Sequence, residues 1–379
     1  MIGTLLFLTA IFFLNFIARI ILSPLMPVIE VDLNLDHGQA GSLFLLIAVG
    51  YFAALMASGY VSSRLRHKNT IILSAVAVAL TSLATSYSYS LWTIRIGALG
   101  IGLSAGLYFP SAMATITSSF RSQHWGKAIS VHELAPNAAF IAAPLLSEIF
   151  LSWLSWRGAL ALLGLLSLLL GIVFIPFGRG GDFPGEAPAL GFLNMLFHKP
   201  VFWIMVVLFG AGISSTAGVY SMLPLFLVSE RGMEPGWANT IVGLSRIPAL
   251  GMALLSGWIA DIIGPKKTMI RVLLLTGTMT MLLGLADHTW SVLFVFCQAM
   301  LASCFFPPAF ATLSSLGLSS SRNLVVSFTV PFGFLAGAGG TPTLIGMLGK
   351  EGMFGWGISL VGALIIMGAL LAGFLRLQD

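Results

Sequence analysis

The chain has 379 residues, of which 58% are apolar and only 8% are charged. Soluble domains carry about 25% charged residues, and a water-soluble protein could not bury this much apolar surface. The composition therefore excludes a soluble enzyme, a nucleic-acid-binding protein and a disordered chain. The net charge of +5 does not indicate a nucleic-acid partner, because the basic residues lie in small groups between apolar runs. That pattern is typical of membrane topology signals.

Long apolar runs follow one another along the chain and are separated by charged, polar or Pro/Gly-containing segments. A spanning helix needs about 20 mostly apolar residues, so roughly 220 apolar residues suffice for about ten to twelve spans. The predicted spans lie near 3–29, 38–61, 70–88, 91–118, 128–151, 157–177, 201–228, 237–260, 268–286, 291–317, 323–348 and 353–375. The sequence thus predicts an all-α polytopic membrane protein with two six-helix bundles, 1–177 and 201–379, joined by a linker at 178–200.

Basic residues are distributed unevenly between the two predicted sides of the membrane. With the N-terminus inside, the inner loops and the tail hold twelve of them: Arg64, Arg66, Lys68, Arg121, Lys127, Arg179, Lys199, Lys266, Lys267, Arg271, Arg322 and Arg376. The outer loops hold three, which are Arg157, Arg231 and Lys350. Because cytoplasmic loops carry the excess of Lys and Arg, both termini and the linker are predicted to be cytoplasmic.

The two halves of the sequence repeat each other. The segment GYVSSRLRHK begins at Gly59, and GWIADIIGPKK begins 198 residues later at Gly257. The segment YFPSAMAT begins at Tyr108, and FFPPAFAT begins 197 residues later at Phe305. Separate anchors at nearly the same offset predict a duplicated six-helix unit.

The repeated loop and the six-plus-six pattern resemble the major facilitator superfamily of secondary transporters, whose loop motif reads roughly G-x-x-x-D-R-x-G-R-R/K. Ile262 stands where the family usually has arginine, whereas the following residues match: Gly257, Asp261, Gly264, Lys266 and Lys267. The resemblance implies transport by alternating access. It also implies that this loop is a latch of charges and helix dipoles that favours the outward-facing state.

The first copy of the loop departs further from the family pattern. It keeps Gly59, Arg64 and Lys68, but Ser63 replaces the acidic residue and Arg66 replaces the second glycine. The resemblance therefore implies a more intact latch in the second half than in the first. Plain topology signalling is the alternative interpretation of these basic residues.

Three arginines lie inside predicted spans, where a charge costs about 2.5–3.5 kcal/mol to insert and is a functional candidate. Arg19 and Arg246 lie in opposite halves, each about nine or ten residues from the outer end of its span. At 1.5 Å per residue both lie roughly 14–15 Å deep, near the middle of a 30 Å hydrocarbon core. Two guanidinium groups at one depth favour a clamp for a carboxylate, sulfonate or phosphate. Neutralisation by a buried acid or by helix carbonyls is the alternative. Arg95 lies three residues before Ala98, which occupies the position of the arginine in the family's fourth span, so the resemblance implies that arginine's role for Arg95 only in part; extension to the outer interface is the alternative.

Acidic residues inside predicted spans are scarce, and Glu133 is the one that lies well inside. A carboxylate in an apolar site can carry a proton at physiological pH, so Glu133, beside His132, is predicted to couple transport to protons. Pairing with an arginine is the alternative for Glu133, and packing is the alternative for His132. Further candidate substrate-binding residues are polar groups in spans one, four, five and seven: Asn15, Tyr108, Asn137 and Tyr220. Each of them could instead hold two helices together.

The sequence thus predicts a secondary transporter that moves a small organic anion through the inner membrane by proton symport. The alternative is a proton-driven exporter of amphipathic or drug-like compounds, which the two arginines disfavour because they would repel a cation. The expected partners are an anionic small molecule, protons and the lipid bilayer, with no nucleic acid, and the protein is expected to be a monomer. No cofactor, metal site or catalytic constellation is predicted, so an enzyme is not expected.

Overall fold

The computed structural model describes residues 2–186, 197–315 and 322–375, with the side chains of 314, 315 and 322–327 left out. Arg376 and residues 187–196 of the predicted linker lie outside the described residues. Contacts divide the chain into two compact units. The first unit is Met1–Leu35 with Leu46–Pro188, and the second is Asp36–Leu45 with Ala189–Asp379.

The helices of the first half follow the predicted spans. They are α1 (Ile2–Leu33, with a break at Ile21), α2 (37–65), α3 (67–86), α4 (Leu91–Ser119, with a turn at Leu107), α5 (Ser122–Leu151) and α6 (Trp156–Phe177). Helices α2 and α3 form one uninterrupted run, His37–Ser86, in which only Arg66 has a non-helical backbone. The predicted gap between spans two and three is thus reduced to a single residue.

The helices of the second half also follow the predicted spans. They are α7 (Pro200–Ser229), α8 (Pro235–Ile263), α9 (Pro265–Leu285), α10 (segments His288–Ser303 and Phe306–Ser315), α11 (segments Arg322–Phe334, Leu335–Gly340 and Thr341–Lys350) and α12 (Phe354–Ala372). Within the described residues, eleven continuous runs are long and apolar enough to cross a membrane. Because α2 and α3 share one run, these runs correspond to the twelve predicted spans and confirm the all-α polytopic fold.

The same backbone turn ends the second helix of each half. Arg66 has φ 66° and ψ 159°, and Gly264, 198 residues later, has φ 91° and ψ 145°. This region of backbone space is accessible almost only to glycine, and another residue there is strained by about 1–3 kcal/mol. The repeat therefore preserves the turn even where the glycine of the family motif has been replaced by arginine.

Replacing Arg66 with glycine is expected to raise the free energy of unfolding by about 1 kcal/mol, since strain relief exceeds the added chain entropy. Arg64→Gly is the matched control: it removes the same charge from a helical position and is expected to cost about 1 kcal/mol. Thermal unfolding of the purified variants measures both. A lower melting temperature for Arg66→Gly than for the parent would show that the turn is unstrained.

The first part of the predicted linker packs on this turn of the first unit. The backbone N–H groups of His67 and Lys68 donate to the carbonyls of Phe183 and Gly181, at 3.2 and 2.9 Å. The Phe183 ring lies 4.8 Å from the imidazole of His67. These bonds satisfy backbone groups that the non-helical turn leaves without helical partners, so the segment stabilises the turn that Arg66 strains.

A salt bridge and its neighbouring hydrogen bonds join three helix ends in each unit. Arg157 at the start of α6 contacts Asp32 of α1 at 2.7 Å and donates to the carbonyl of Ser88, after α3. In the second unit, Arg231 contacts Glu230 at 3.1 Å and donates to a carbonyl in the last turn of α9. Glu230 accepts a bond from a backbone N–H at the start of α12. The repeat therefore extends from the sequence motif to the packing of equivalent helices.

The second unit includes the first turns of α2, residues Asp36–Leu45. Lys350 at the end of α11 contacts Asp36 at 3.4 Å, and a Cβ atom on Gly41 would meet the carbonyl oxygen of Pro342. The close approach of these two backbones depends on glycine. The sequence-based domain bounds, 1–177, 178–200 and 201–379, stay a prediction.

Candidate functional site

In the first unit, the buried guanidinium of Arg19 lies against two aromatic rings. The residue is only 5% exposed and lies two residues before the break in α1 at Ile21. Its Cζ atom is 4.5 Å from the ring centre of Phe16 and 4.3 Å from that of Tyr51. The guanidinium also donates a hydrogen bond to the Tyr51 hydroxyl and lies within the electrostatic field of Glu133. A cation is favoured over aromatic faces, so this environment holds the charge inside the unit.

Close packing of α2 on α4 places Tyr51 in this position. A Cβ atom on Gly102 would meet the carbonyl oxygen of Ile47, and one on Gly106 would meet the carbonyl oxygen of Tyr51. The two backbones therefore touch at positions where only glycine leaves room. This contact fixes the helix that carries Tyr51, and hence the ring beneath the guanidinium.

A second polar cluster in the first unit is formed by His132, Glu133 and Tyr108. The imidazole of His132 is fully buried, with Nε2 3.0 Å from the Tyr108 hydroxyl and Nδ1 3.4 Å from Oε1 of Glu133. The Tyr108 hydroxyl donates to the carbonyl of Leu8 at 2.6 Å. The side chain of Glu133 is 42% exposed, so the cluster reaches from the core of the unit to its surface. Both residues predicted to couple protons are thus brought into contact.

Asn15 and Asn137, two predicted binding residues, lie in different environments. The Nδ2 atom of Asn15 donates to the Ala105 carbonyl at 3.2 Å and lies 3.5 Å from the Ser74 hydroxyl. These contacts join α1 to α3 and α4. Asn137 is exposed and donates to the carbonyl of Glu133, one turn earlier in α5. Asn15 therefore contributes to helix packing, whereas Asn137 lies beside the proton-coupling candidate.

In the second unit, Arg246 occupies an environment like that of Arg19. It is 5% exposed and follows a break in α8 at Ser245. Its Cζ atom lies 4.9 Å from the ring centre of Tyr220, which is itself fully buried. An Nη2 donor of Arg246 bonds the carbonyl of Thr216 at 3.0 Å. The second predicted arginine is therefore held by a tyrosine and by a helix carbonyl.

That carbonyl belongs to a π-helical segment of α7, Ser214–Gly218. A π-helical turn interrupts the regular hydrogen-bond ladder and often occurs at functional sites. Arg246 bonds the carbonyl of Thr216, and Gln298 of α10 bonds the carbonyl of Ser215 at 2.7 Å. Sequence reasoning missed Gln298, although an amide inside an apolar run was a usable signal. The π-helical segment has no comparable sequence signal.

The Arg–Tyr pairs in the two units use equivalent helices in the opposite order. In the first unit α1 carries Arg19 and α2 carries Tyr51, whereas in the second unit α7 carries Tyr220 and α8 carries Arg246. Adding the repeat offset of 198 to Arg19 gives position 217, which is alanine. The residues are therefore not copies of each other, although the chemistry of the pair recurs.

The predicted latch residues of the second half lie where α8 meets α9. Lys266 donates to the carbonyls of Gly373 and Leu375, at 2.9 and 2.5 Å. A lysine at a helix C-terminus satisfies carbonyls that lack helical partners and complements the helix dipole. Asp261 and Lys267 are exposed, and Gly257 is half-buried. Lys266 of this loop is thus bound to the carbonyls that follow α12.

The latch residues of the first half lie where α2 meets α3. Arg64 is exposed, whereas Gly59 and Lys68 are half-buried. The Lys68 backbone N–H bonds the linker carbonyl described above. The backbone of this loop is thus held by the linker segment.

Comparisons with known proteins agree with this architecture. The model of the Major Facilitator Superfamily matches residues 8–341. An "MFS-type efflux pump" of Mycolicibacterium smegmatis is 26% identical over 88% of this chain and 81% of its own. Human "Monocarboxylate transporter 11" is 28% identical over 57% of this chain and 47% of its own. A solved bacterial homologue of the human lysosomal transporter Spinster has a TM-score of 0.82 and 16% identity, covering 97% of this chain and 95% of that one. The chain therefore belongs to the Major Facilitator Superfamily of membrane transporters.

Proposed function

We propose that this transporter moves a small organic anion together with protons across the cytoplasmic membrane by alternating access. The observation that carries the proposal is the pair of buried guanidinium groups, Arg19 and Arg246, one in each unit and each 5% exposed. Both lie within helices able to span a membrane. Charged side chains at such positions are costly and mark substrate or ion pathways.

An anion is the substrate class that these side chains favour. A guanidinium offers five N–H donors in a planar arrangement and matches a carboxylate or phosphate through two parallel bonds. The ring centres of Tyr51 and Tyr220 lie 4.3 and 4.9 Å from the Cζ atoms of Arg19 and Arg246, and these contacts with the rings favour the charged form of each side chain. The name of the human relative, a monocarboxylate transporter, is consistent with an anionic substrate. Asn137, beside Glu133 on the exposed face of α5, is proposed to contribute a further polar contact.

Glu133 and His132 are proposed to carry the coupled proton. Glu133 lies in the electrostatic field of Arg19, so its charge influences the proposed anion site directly. A proton on Glu133 would leave the positive charge of Arg19 less compensated. Proton binding would then favour anion binding, and by linkage the anion would favour the proton to the same extent.

A second candidate function is proton-driven export of amphipathic or drug-like compounds. It is favoured by the similarity to the Mycolicibacterium smegmatis efflux pump, which covers most of both chains. The two functions differ in the charge of the ligand, because a buried guanidinium favours an anion and repels a cation.

Thermal unfolding of the purified protein in the presence of anionic metabolites tests the proposal. A ligand that binds only the folded state at about 100 times its Kd stabilises it by about 2.7 kcal/mol, which raises the melting temperature measurably. We expect stabilisation by one or more small carboxylates, sulfonates or phosphates. Stabilisation by amphipathic cations, with no response to any anion, would favour the exporter instead.

The remaining proposals concern the orientation of the protein in the membrane, the conformational latch and the oligomeric state. The excess of basic residues in alternate loops supports an inner-membrane protein with both termini and the linker in the cytoplasm. A reporter fused to the C-terminus that responds on the outer side would contradict this orientation. The loop residues that match the family motif where α8 meets α9 are proposed to act as the conformational latch, and the protein is proposed to act as a monomer.

A further inference from the structure

The hydrogen bonds of His132 determine which of its ring nitrogens carries hydrogen. The Tyr108 hydroxyl lies 2.6 Å from the carbonyl oxygen of Leu8, and a carbonyl oxygen can only accept. That hydroxyl therefore donates its single proton to the carbonyl oxygen of Leu8. The hydroxyl oxygen remains an acceptor, and Nε2 of His132 lies 3.0 Å from it. It follows that Nε2 carries a hydrogen and donates it to Tyr108.

The other ring nitrogen then faces a carboxylate. A neutral imidazole has one N–H group and one lone pair, so with hydrogen on Nε2 the lone pair lies on Nδ1. The Nδ1 atom is 3.4 Å from Oε1 of Glu133, and an ionised carboxylate also offers only lone pairs. Two acceptors in contact repel each other unless a proton lies between them.

We propose that His132 and Glu133 form a single proton-binding site between Nδ1 and Oε1, and that Tyr108 is the positioning residue that creates it. When the proton is bound, either an imidazolium donates to the carboxylate or the carboxylic acid donates to the imidazole. The charge of the pair is zero in both arrangements and minus one when the proton leaves. The site therefore exchanges one proton.

The rigid surroundings of His132 keep this geometry. Its ring stacks on Phe12 at a centroid distance of 4.5 Å and an interplanar angle of 9°, and it lies parallel to the Tyr108 ring at 5.9 Å. A ring rotation that exchanged the two nitrogens would break the bond to Tyr108 and leave a buried donor without its acceptor, which is costly. The tautomer is thus fixed by packing as well as by hydrogen bonding.

Seven ionisable groups of the described residues lie in the first turns of α5 or on helical segments packed against it. The helical segments packed against α5 and its own first turns carry the following: Arg19, Glu30 and Asp32 of α1, Tyr108 of α4, His124 and Lys127 of α5, and Arg157 of α6. Asp32 and Arg157 are bonded to each other. Electrostatic interactions link Glu133 to Arg19 and to Tyr108.

The consequence for transport rests on the proposed function. With the proton absent, the charges of Arg19 and Glu133 sum to zero. With the proton bound, the same cluster carries one net positive charge, which an anion can neutralise. Loading of the proton and loading of a monovalent anion are therefore mutually favourable, as a symporter requires.

Nitrogen-15 NMR of histidine side chains tests the site without a substrate. The full chain is labelled with ring-¹⁵N histidine, reconstituted in lipid and titrated between about pH 5 and 9, a range that brackets the unperturbed histidine pKa near 6.5. His132→Gln assigns the signal by removing one of six histidines. We expect neutral His132 to be the Nε2–H tautomer and its Nδ1 signal to move as the pair gains its proton.

Two conservative variants separate the proton site from ordinary packing. In Glu133→Gln the amide NH₂ can donate to Nδ1 without any added proton, so the Nδ1 titration is expected to disappear. In Tyr108→Phe the acceptor for Nε2 is lost, so neutral His132 is expected to change to the Nδ1–H tautomer and donate to Glu133. Tyr220→Phe, a buried tyrosine of the second unit, is the matched control and is expected to leave the His132 signal unchanged.

Any one of three results would overturn the inference. The first is an Nδ1–H tautomer in the parent protein, the second is an unchanged Nδ1 titration in Glu133→Gln, and the third is an unchanged tautomer in Tyr108→Phe. None of these measurements depends on an anion. If no anion binds but the spectra behave as expected, the proposed substrate class fails and the proton site stands.

Discussion

Replacing Arg19 with lysine is expected to weaken binding of the transported anion about ten- to a hundredfold. Losing a hydrogen bond to a charged group costs about 1.5–3 kcal/mol, and each 1.4 kcal/mol corresponds to about tenfold in affinity. Lysine keeps the charge but presents one ammonium group, which cannot match the two oxygens of a carboxylate. It also loses the contact of the guanidinium with the Tyr51 ring, whose centre lies 4.3 Å from Cζ. Binding is measured by isothermal calorimetry with an anion identified by the thermal screen.

The same substitution at Arg246 distinguishes two roles for that residue. Lysine can still donate one bond to the carbonyl of Thr216, the contact that Arg246 makes at 3.0 Å. If Arg246 only satisfies this carbonyl of the π-helical segment, Arg246→Lys should bind the anion like the parent. If Arg246 also binds the anion through two donors, the affinity should fall about tenfold or more.

Arg95→Lys is the matched control for both substitutions. Arg95 also lies within a helix able to span a membrane, but it is half-buried and rests on Trp92 at 5.3 Å. We expect its lysine variant to bind the anion with near-parent affinity. Near-parent binding by Arg19→Lys would reject a two-bond contact from Arg19. Normal binding by both alanine variants, Arg19→Ala and Arg246→Ala, would reject the anion carrier altogether.

Replacing Glu133 with glutamine is expected to abolish accumulation driven by a proton gradient while exchange continues. A symporter that moves one proton with one monovalent anion can accumulate it about tenfold for each pH unit, since one unit corresponds to about 1.36 kcal/mol. Without an exchangeable proton this ratio should fall to about one. Exchange of labelled for unlabelled anion needs no net proton movement, and glutamine resembles the protonated carboxyl group. Both are measured in proteoliposomes with an imposed pH difference.

The control for this experiment is a second glutamate on the same helix. Glu148 lies fifteen residues after Glu133 in α5 and is half-buried, so Glu148→Gln removes a comparable charge away from the His132 cluster. It is expected to keep gradient-driven accumulation. Full accumulation by Glu133→Gln would remove Glu133 from the coupling mechanism. Loss of exchange along with accumulation would instead assign Glu133 to substrate binding.

Hydropathy in the sequence was enough to predict the positions of the helices, because the requirement for a spanning helix is local. Each span needs only its own run of apolar residues to satisfy its backbone and match the bilayer. The predicted spans and the observed helices agree apart from shifts at their ends and the joining of α2 to α3 at Arg66. The repeat was also visible in sequence, since Gly59 and Gly257 begin similar loops.

The candidate site was only partly accessible to sequence reasoning. Charge inside an apolar run identified Arg19, Arg246 and Glu133, because insertion cost makes such residues rare. The rings beneath the guanidinium groups were not predicted as pairs, since the contact of Arg19 with Tyr51 joins positions 32 residues apart. Such a contact depends on how α1 and α2 cross, and a hydropathy pattern carries no information on the crossing.

The sequence by itself determined the fold class, the number of spans, the repeat and the few charged residues inside spans. Tertiary structure decided which of those residues meet. The position of the hydrogen on Nε2 of His132 is determined by its contact with Tyr108 and by the bond from Tyr108 to Leu8. These two residues are 24 and 124 residues away from His132 along the chain. The π-helical carbonyls of α7 are satisfied by side chains of α8 and α10. Apolar character belongs to each residue and is readable from the sequence, whereas hydrogen bonding between helices requires directed contact, which exists only after the helices have packed.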